Sequence, residues 1–267
     1  LPNEEIVNSI LDDIKDKEIV VNSIEARTRR KSAPKPFTTS MLQQEAANRL
    51  SFTTKKTMSI AQELYEGIDI ENEGTVGLIS YIRTDSKRIS EEAKEKSKEY
   101  ILEALTHSSY SNENKGYNFN ERLEFLALGE AYYKPDFDKG KEKGSKKVQD
   151  AHEAIRPTSV IRTPDSIKSS LTKDQFKLYN LIWRRFIASQ MQDSIFDILN
   201  VECKINDYIL KATGSKMKFD GYTKIYNFTE REDKILPPIN EGDTLIVKDI
   251  LPLQHFTQPP ARYTEAS

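Results

Sequence analysis

The stretch TVGLISYIRTDSKRIS, residues 75–90, sets Tyr81, Arg83 and Asp85 at alternate positions behind an apolar pair, Leu78 and Ile79. Alternate side chains of an extended segment point to one side, so the phenol and the guanidinium would share a surface. The chemistry open to such a set is phosphoryl transfer. A phenol with a reference pKa of about 10 is almost wholly protonated at neutral pH and needs help to attack. In return, phenolate is a better leaving group than an alkoxide, so a phosphotyrosine link can be reversed without ATP. The attack calls for a cation aimed at the non-bridging phosphate oxygens, and arginine, planar and always charged, suits that task. The chain also holds 12 tyrosines, so a Tyr-x-Arg arises by chance and a packed aromatic beside a surface arginine fits the same spacing. Spacing alone leaves both readings open.

The elements that must position these residues follow from pattern. A chain of 267 residues has room for two domains. Residues 3–16 place Ile6, Ile10, Leu11 and Ile14 at helical spacing, and the β-branched run EIVVNSIEA after them reads as a strand. RTRRKSAPKPF, basic and broken by proline, reads as a connector. Ser40 with Gln43 and Ser59 with Gln62 have the form of capping boxes opening two short amphipathic helices. Ser90 opens a third helix, whose inner face is Ala93, Ser97, Tyr100, Ile101 and Ala104. Thr172 with Gln175 caps a long helix, KDQFKLYNLIWRRFIASQM. From Phe196 onward the period becomes two, through VECKINDYILKA, FDGYTKIYNF and TLIVKDIL, which predicts antiparallel strands. The fold class expected is α+β: a helical domain, 36–191, carrying Tyr81 and inserted into a β-rich domain formed by 1–35 and 192–254. Residues 255–267 read as the start of a further domain.

Composition excludes little. The formal charge of −2, from 40 basic and 42 acidic residues, gives no global basic excess, so contacts with a polyanion must come from local clusters. Arg27, Arg29 and Arg30, with Lys55 and Lys56, are the candidates for such contacts. One cysteine, Cys203, leaves no internal disulfide and no Cys/His zinc pattern, which points to a reducing cytoplasm. No apolar run approaches the roughly 20 residues of a membrane span, and no signal-peptide pattern opens the chain. Both ends read as cuts in a longer protein.

GLISYIRTDS closely resembles the active-site segment of type IA DNA topoisomerases of the bacterial topoisomerase I kind. The resemblance extends in family order through PFTTSMLQQEAANRLSFTTKKTMSIAQELYEG, AHEAIRPTSV, LYNLIWRRFIASQM, FDGYTKIY and QHFTQPPARYTEAS, and so covers most of the chain. It implies that Tyr81 attacks a single DNA strand, takes its 5′ phosphate and releases a 3′ hydroxyl, with strand passage before religation. It implies further that Arg83 steadies the scissile phosphate, that Asp85 orients that arginine or a neighbour, and that His152 contacts phosphate or shares in proton transfer. The family's Mg²⁺ is held by a separate acidic domain with a DxDxD motif. The Asp136-Phe137-Asp138 of this chain, in a lysine-rich loop, is not that motif, so no metal ligand and no cofactor are expected here. The partners implied are single-stranded DNA and the other domains of the same enzyme. The chain alone should then be inactive.

One segment departs from that pattern. Residues 104–128, ALTHSSYSNENKGYNFNERLEFLAL, resemble the signature of ribonuclease III, with Glu121 and Glu124 in place but Ala127 and Leu128 where glycine and the metal-binding aspartate belong. The segment therefore reads as a foreign insertion without nuclease activity, and His107 within it has no identifiable partner. The alternative function is a non-catalytic scaffold, or chimera, displaying this peptide.

Overall fold

A computed structural model describes residues 3–15, 17–113, 132–134, 152–227 and 232–259. Most of the ribonuclease-like segment and of the lysine-rich loop, Asp136 and Asp138 included, lies outside the described residues. The fold is α+β and divides into two units.

The first unit is a sheet. Helix α1 (Glu4–Ile14) is capped by the Asn3 side chain, which accepts from the Ile6 amide. Strand β1 (Ile19–Lys31) pairs antiparallel with β4 (Ser194–Ile205), which pairs with β5 (Tyr208–Phe219), and the short β6 (Thr244–Leu245) joins β1 at Ile19 and Val20. The order is β5-β4-β1-β6. Burial along β4 falls on Phe196 and Ile198 and then on Val201, Cys203 and Ile205. The parity changes between Ile198 and Val201, so the strand buries opposite faces at its two ends. Val21, Val201 and Cys203 form a small apolar cluster with Leu199, Ala212 and Leu236 around it.

The second unit is helical. Its helices are α2 (Thr39–Leu50), α3 (Thr54–Glu66), α4 (Glu91–Glu113) and α5 (Lys173–Ser189), with a two-stranded hairpin of β2 (Ile68–Ile70) and β3 (Gly74–Val76). The centre is α5, where Leu178, Tyr179, Leu181, Ile182, Phe186 and Ile187 are almost wholly buried against Phe37, Leu42, Leu64 and Ile101. Polar groups in this core are tied down: Trp183 donates to the Val160 carbonyl at 3.0 Å and Tyr179 to that of Arg162 at 2.7 Å. Burial pushes the Tyr179 hydroxyl well above its ordinary range. The buried Arg185 donates to the Lys35 carbonyl and lies over the rings of Phe37 and Tyr226.

Several sequence expectations need correction. The basic run Arg27–Lys31 is not a connector but the second half of β1, held by pairing that continues to Lys31 opposite Ser194. The caps of α2 and α3 are Thr38 and Thr53, whose hydroxyls accept from Met41 and Lys56, while Ser40 and Ser59 lie inside the helices. Both threonines are extended, as an N-cap requires, and each stands ahead of the serine-glutamine pattern. The expected capping box of Thr172 and Gln175 is present.

FDGYTKIYNF is not a strand throughout. Gly221–Lys224 is a 3₁₀ turn in the helical unit, where Tyr222 and Tyr226 are buried. Gly221 has φ +51°, and a Cβ there would lie 2.6 Å from the carbonyl oxygens of both Gln192 and Asp193. The chain passes between the units at 31/32 and 193/194, where the β1–β4 ladder ends, and again at 220/221. Helix α4 carries residues 104–113 of the ribonuclease-like segment as a continuation of the Ser90 helix. Among the described residues no helix is long and apolar enough to cross a membrane.

Candidate active site

Residues 77–90 form a strap across the helical unit, bent at Ile82 and Arg83, with Leu78, Ile79, Ile82, Thr84, Ser86 and Ile89 buried and Tyr81, Arg83 and Asp85 exposed. The alternation read from the sequence is therefore physical: the apolar and hydroxyl residues face the core and the three candidates face solvent.

Two sets of hydrogen bonds hold the strap. On one side Thr39, at the start of α2, donates its hydroxyl to the carbonyls of Ile82 (2.7 Å) and Thr84 (3.1 Å) and accepts from the Thr84 amide. The Thr39 amide also donates to the Thr84 carbonyl, so the backbone between Tyr81 and Asp85 is clamped. On the other side the segment 154–158 runs antiparallel to 77–80, with the Thr158 amide on the Leu78 carbonyl and the Ser80 amide on the Arg156 carbonyl. The strap starts close against α3: a Cβ on Gly77 would meet the Tyr65 carbonyl at 2.8 Å, and the Leu78 amide donates to the Leu64 carbonyl.

This packing puts two other rings against Tyr81. The Tyr81 and His152 rings lie 4.7 Å apart between centroids, at 33°. Tyr81 also meets Tyr65, from the last turn of α3, edge-on at 5.8 Å and 71°. Tyr81 keeps 38 % of its surface exposed. A phenol held by two rings, open to solvent and beside an arginine, can present its oxygen to an anionic group with little ordering left to do.

Residues 1–267 match the family model described as DNA topoisomerase. The chain belongs to the DNA topoisomerase family. Among solved structures, this topoisomerase chain is similar to full-length topoisomerase I from Thermotoga maritima, with a TM-score of 0.69 and 35% identity over 91% of the chain. It spans 34% of that protein's length.

Of the candidate residues, the fold brings His152 against Tyr81, although the two are distant in sequence, while Arg83 and Asp85 are exposed on the same strap as Tyr81. Among the described residues no ion pair joins Asp85 to Arg83. Both side chains are exposed, and nothing excludes water between them. Lys55 and Lys56 stand at the opposite end of α3 from Tyr65, about 15 Å along the helix axis, so they lie away from the Tyr65–Tyr81 contact. Lys56 is already engaged, 2.6 Å from the Asp174 carboxylate and above the Phe52 ring. Its hydrogen bond holds the Asp174 carboxyl below the ordinary carboxylate range. Arg27, Arg29 and Arg30 are exposed on β1, in the sheet unit. Tyr65 was not singled out by spacing; its only sequence signal is its place in the last turn before the hairpin that returns to Tyr81.

No group of three or more His, Cys, Asp and Glu among the described residues could hold a metal ion.

Proposed function

We propose that this chain is the part of a type IA DNA topoisomerase that carries the nucleophile, Tyr81. The observation that supports this reading is the exposed phenol in contact with the Tyr65 and His152 rings, with an exposed Arg83 two residues along the same clamped strap. The Tyr81 oxygen attacks a phosphorus of single-stranded DNA, a P–O bond to Tyr81 forms and the bond to the 3′ oxygen breaks. The phenol gives up its proton and the departing 3′ oxygen gains one, so the number of phosphodiester links is unchanged and religation needs no ATP. Arg83 balances the charge that grows on the non-bridging oxygens. His152 is placed to contact that phosphate or to carry the proton.

Arg27, Arg29, Arg30 and Lys55 would make salt-dependent contacts with the DNA backbone. In this reading Mg²⁺ is held by another portion of the enzyme, and strand passage and relaxation belong to the whole protein. The chain supplied with the metal-binding portion of a type IA enzyme, Mg²⁺ and a labelled single-stranded oligonucleotide is expected to give a denaturant-resistant adduct. The adduct should disappear in Tyr81→Phe and should not form with the chain alone. An adduct that persists in Tyr81→Phe would overturn the assignment.

A further inference from the structure

We infer that Ser80 is a positioning residue that acts through His152, holding the imidazole against the nucleophilic phenol. This rests on the reading of Tyr81 given above and adds to it a residue that neither family membership nor the spacing of charged groups assigns.

The ring contact between Tyr81 and His152 joins two segments more than 70 residues apart in sequence, so something must fix their register. Ser80 sits one residue before Tyr81 and makes three of the bonds at this crossing, the ones nearest His152; Thr158 makes those to Leu78 and Gly77 at its far end. The Ser80 amide donates to the Arg156 carbonyl at 2.9 Å, its hydroxyl donates to the Ala154 carbonyl at 2.9 Å, and the same hydroxyl accepts from the Arg156 amide at 3.0 Å. The hydroxyl therefore works as donor and acceptor at once, bridging two residues that lie two and four positions after His152. Among the side chains that place a polar atom on Cβ, only serine and threonine do both well.

The neighbouring contacts make the register matter. Ala154 is fully buried, so its carbonyl has no water to turn to if the serine hydroxyl is removed. The Ala154 amide is anchored on the Arg88 carbonyl and the Ile155 amide on the Phe37 carbonyl, so the segment cannot relax freely in that direction. The strap side is fixed by Thr39. A lost hydroxyl then displaces the stretch that carries the exposed His152. Arg156 is held separately by Glu153 at 2.7 Å and by the Pro157 carbonyl, so its guanidinium does not replace the serine bridge.

The test uses two readouts. In the chain itself, the His152 ring protons feel the ring current of Tyr81, and with three histidines in the chain their resonances can be assigned by His152→Gln. Tyr81→Ala defines the value without the ring. Ser80→Ala is expected to move the His152 resonances toward that value, while Ser80→Thr keeps them near the native one. In the complemented cleavage reaction, Ser80→Ala is expected to slow adduct formation about 10-fold or more. Adding His152→Gln to it should cost little further, because both changes remove the same contribution.

Native His152 resonances in Ser80→Ala, or fully additive kinetic losses in the double variant, would overturn the inference. Trp183 emission reports whether each variant is folded, and if Ser80→Ala is not, Ser80→Cys, with a weak donor and acceptor, should give an intermediate displacement. If the resonances move as expected but the native chain gives no Tyr81-dependent adduct, the nucleophile reading fails while Ser80 still sets the register of His152.

Discussion

The two units stabilise themselves in different ways. The helical unit closes a continuous core around α5, and the strap that bears Tyr81 is both packed into that core and clamped by side-chain hydrogen bonds. The sheet unit has long ladders but a small apolar cluster, and its β4 buries opposite faces at its two ends. A ladder of hydrogen bonds contributes less net stability than its length suggests, because the unfolded chain bonds to water instead. The difference teaches where core packing and side-chain clamps coincide: along the strap that bears the candidate nucleophile.

The chain carries its own probes of this contrast, a single tryptophan, Trp183, in the helical core and a single buried cysteine, Cys203, in the sheet cluster. The largest effect should come from the helical core. Phe37→Ala removes a fully buried ring and is expected to cost about 3–5 kcal/mol, read as a lower urea midpoint of Trp183 emission. A loss below about 1 kcal/mol would mean that this core is less tightly packed than described.

In the sheet unit, Val201→Ala should cost about 2 kcal/mol, from roughly 0.8 kcal/mol for each buried carbon removed plus a small cavity. It should speed thiol labelling of Cys203 at low urea while leaving the Trp183 transition in place. In the unaltered chain, Cys203 should become reactive before Trp183 emission changes, and one shared midpoint would erase the contrast.

The smallest effect belongs to the exposed Lys56–Asp174 pair. The Asp174 carboxyl is held below its ordinary range in the folded chain, so the pair stabilises above the ordinary carboxylate pKa and that contribution is lost as pH falls through the lower folded value. Asp174→Asn should therefore lower the Tm slightly at neutral pH, less so in high salt, and not at all in acid.

Much of the candidate site was legible because its local chemistry is periodic. Alternation placed Tyr81 and Arg83 on one side, both of which are exposed, and Thr172 with Gln175 marked the start of α5. What could not be read depends on partners far along the chain. Tyr65 reaches Tyr81 only because Gly77 lets the strap lie against the end of α3, and Ser80 gains its role only when residues 154–156 arrive beside it. The 3₁₀ turn at Gly221 was hidden for a similar reason: the carbonyls of Gln192 and Asp193, not the local sequence, demand a residue without a Cβ. Arg27–Lys31 looked like a linker by composition, but pairing with β4 overrides the local signal.

The most direct test of the account is to map the covalent link itself. The chain, supplied with the metal-binding portion of a type IA enzyme and Mg²⁺, is incubated with a single-stranded oligonucleotide, denatured, digested, and its modified peptide sequenced by mass spectrometry. The account predicts a nucleotide joined through its 5′ phosphate to Tyr81. A link at the neighbouring Tyr65, or one made through a 3′ phosphate, would contradict it.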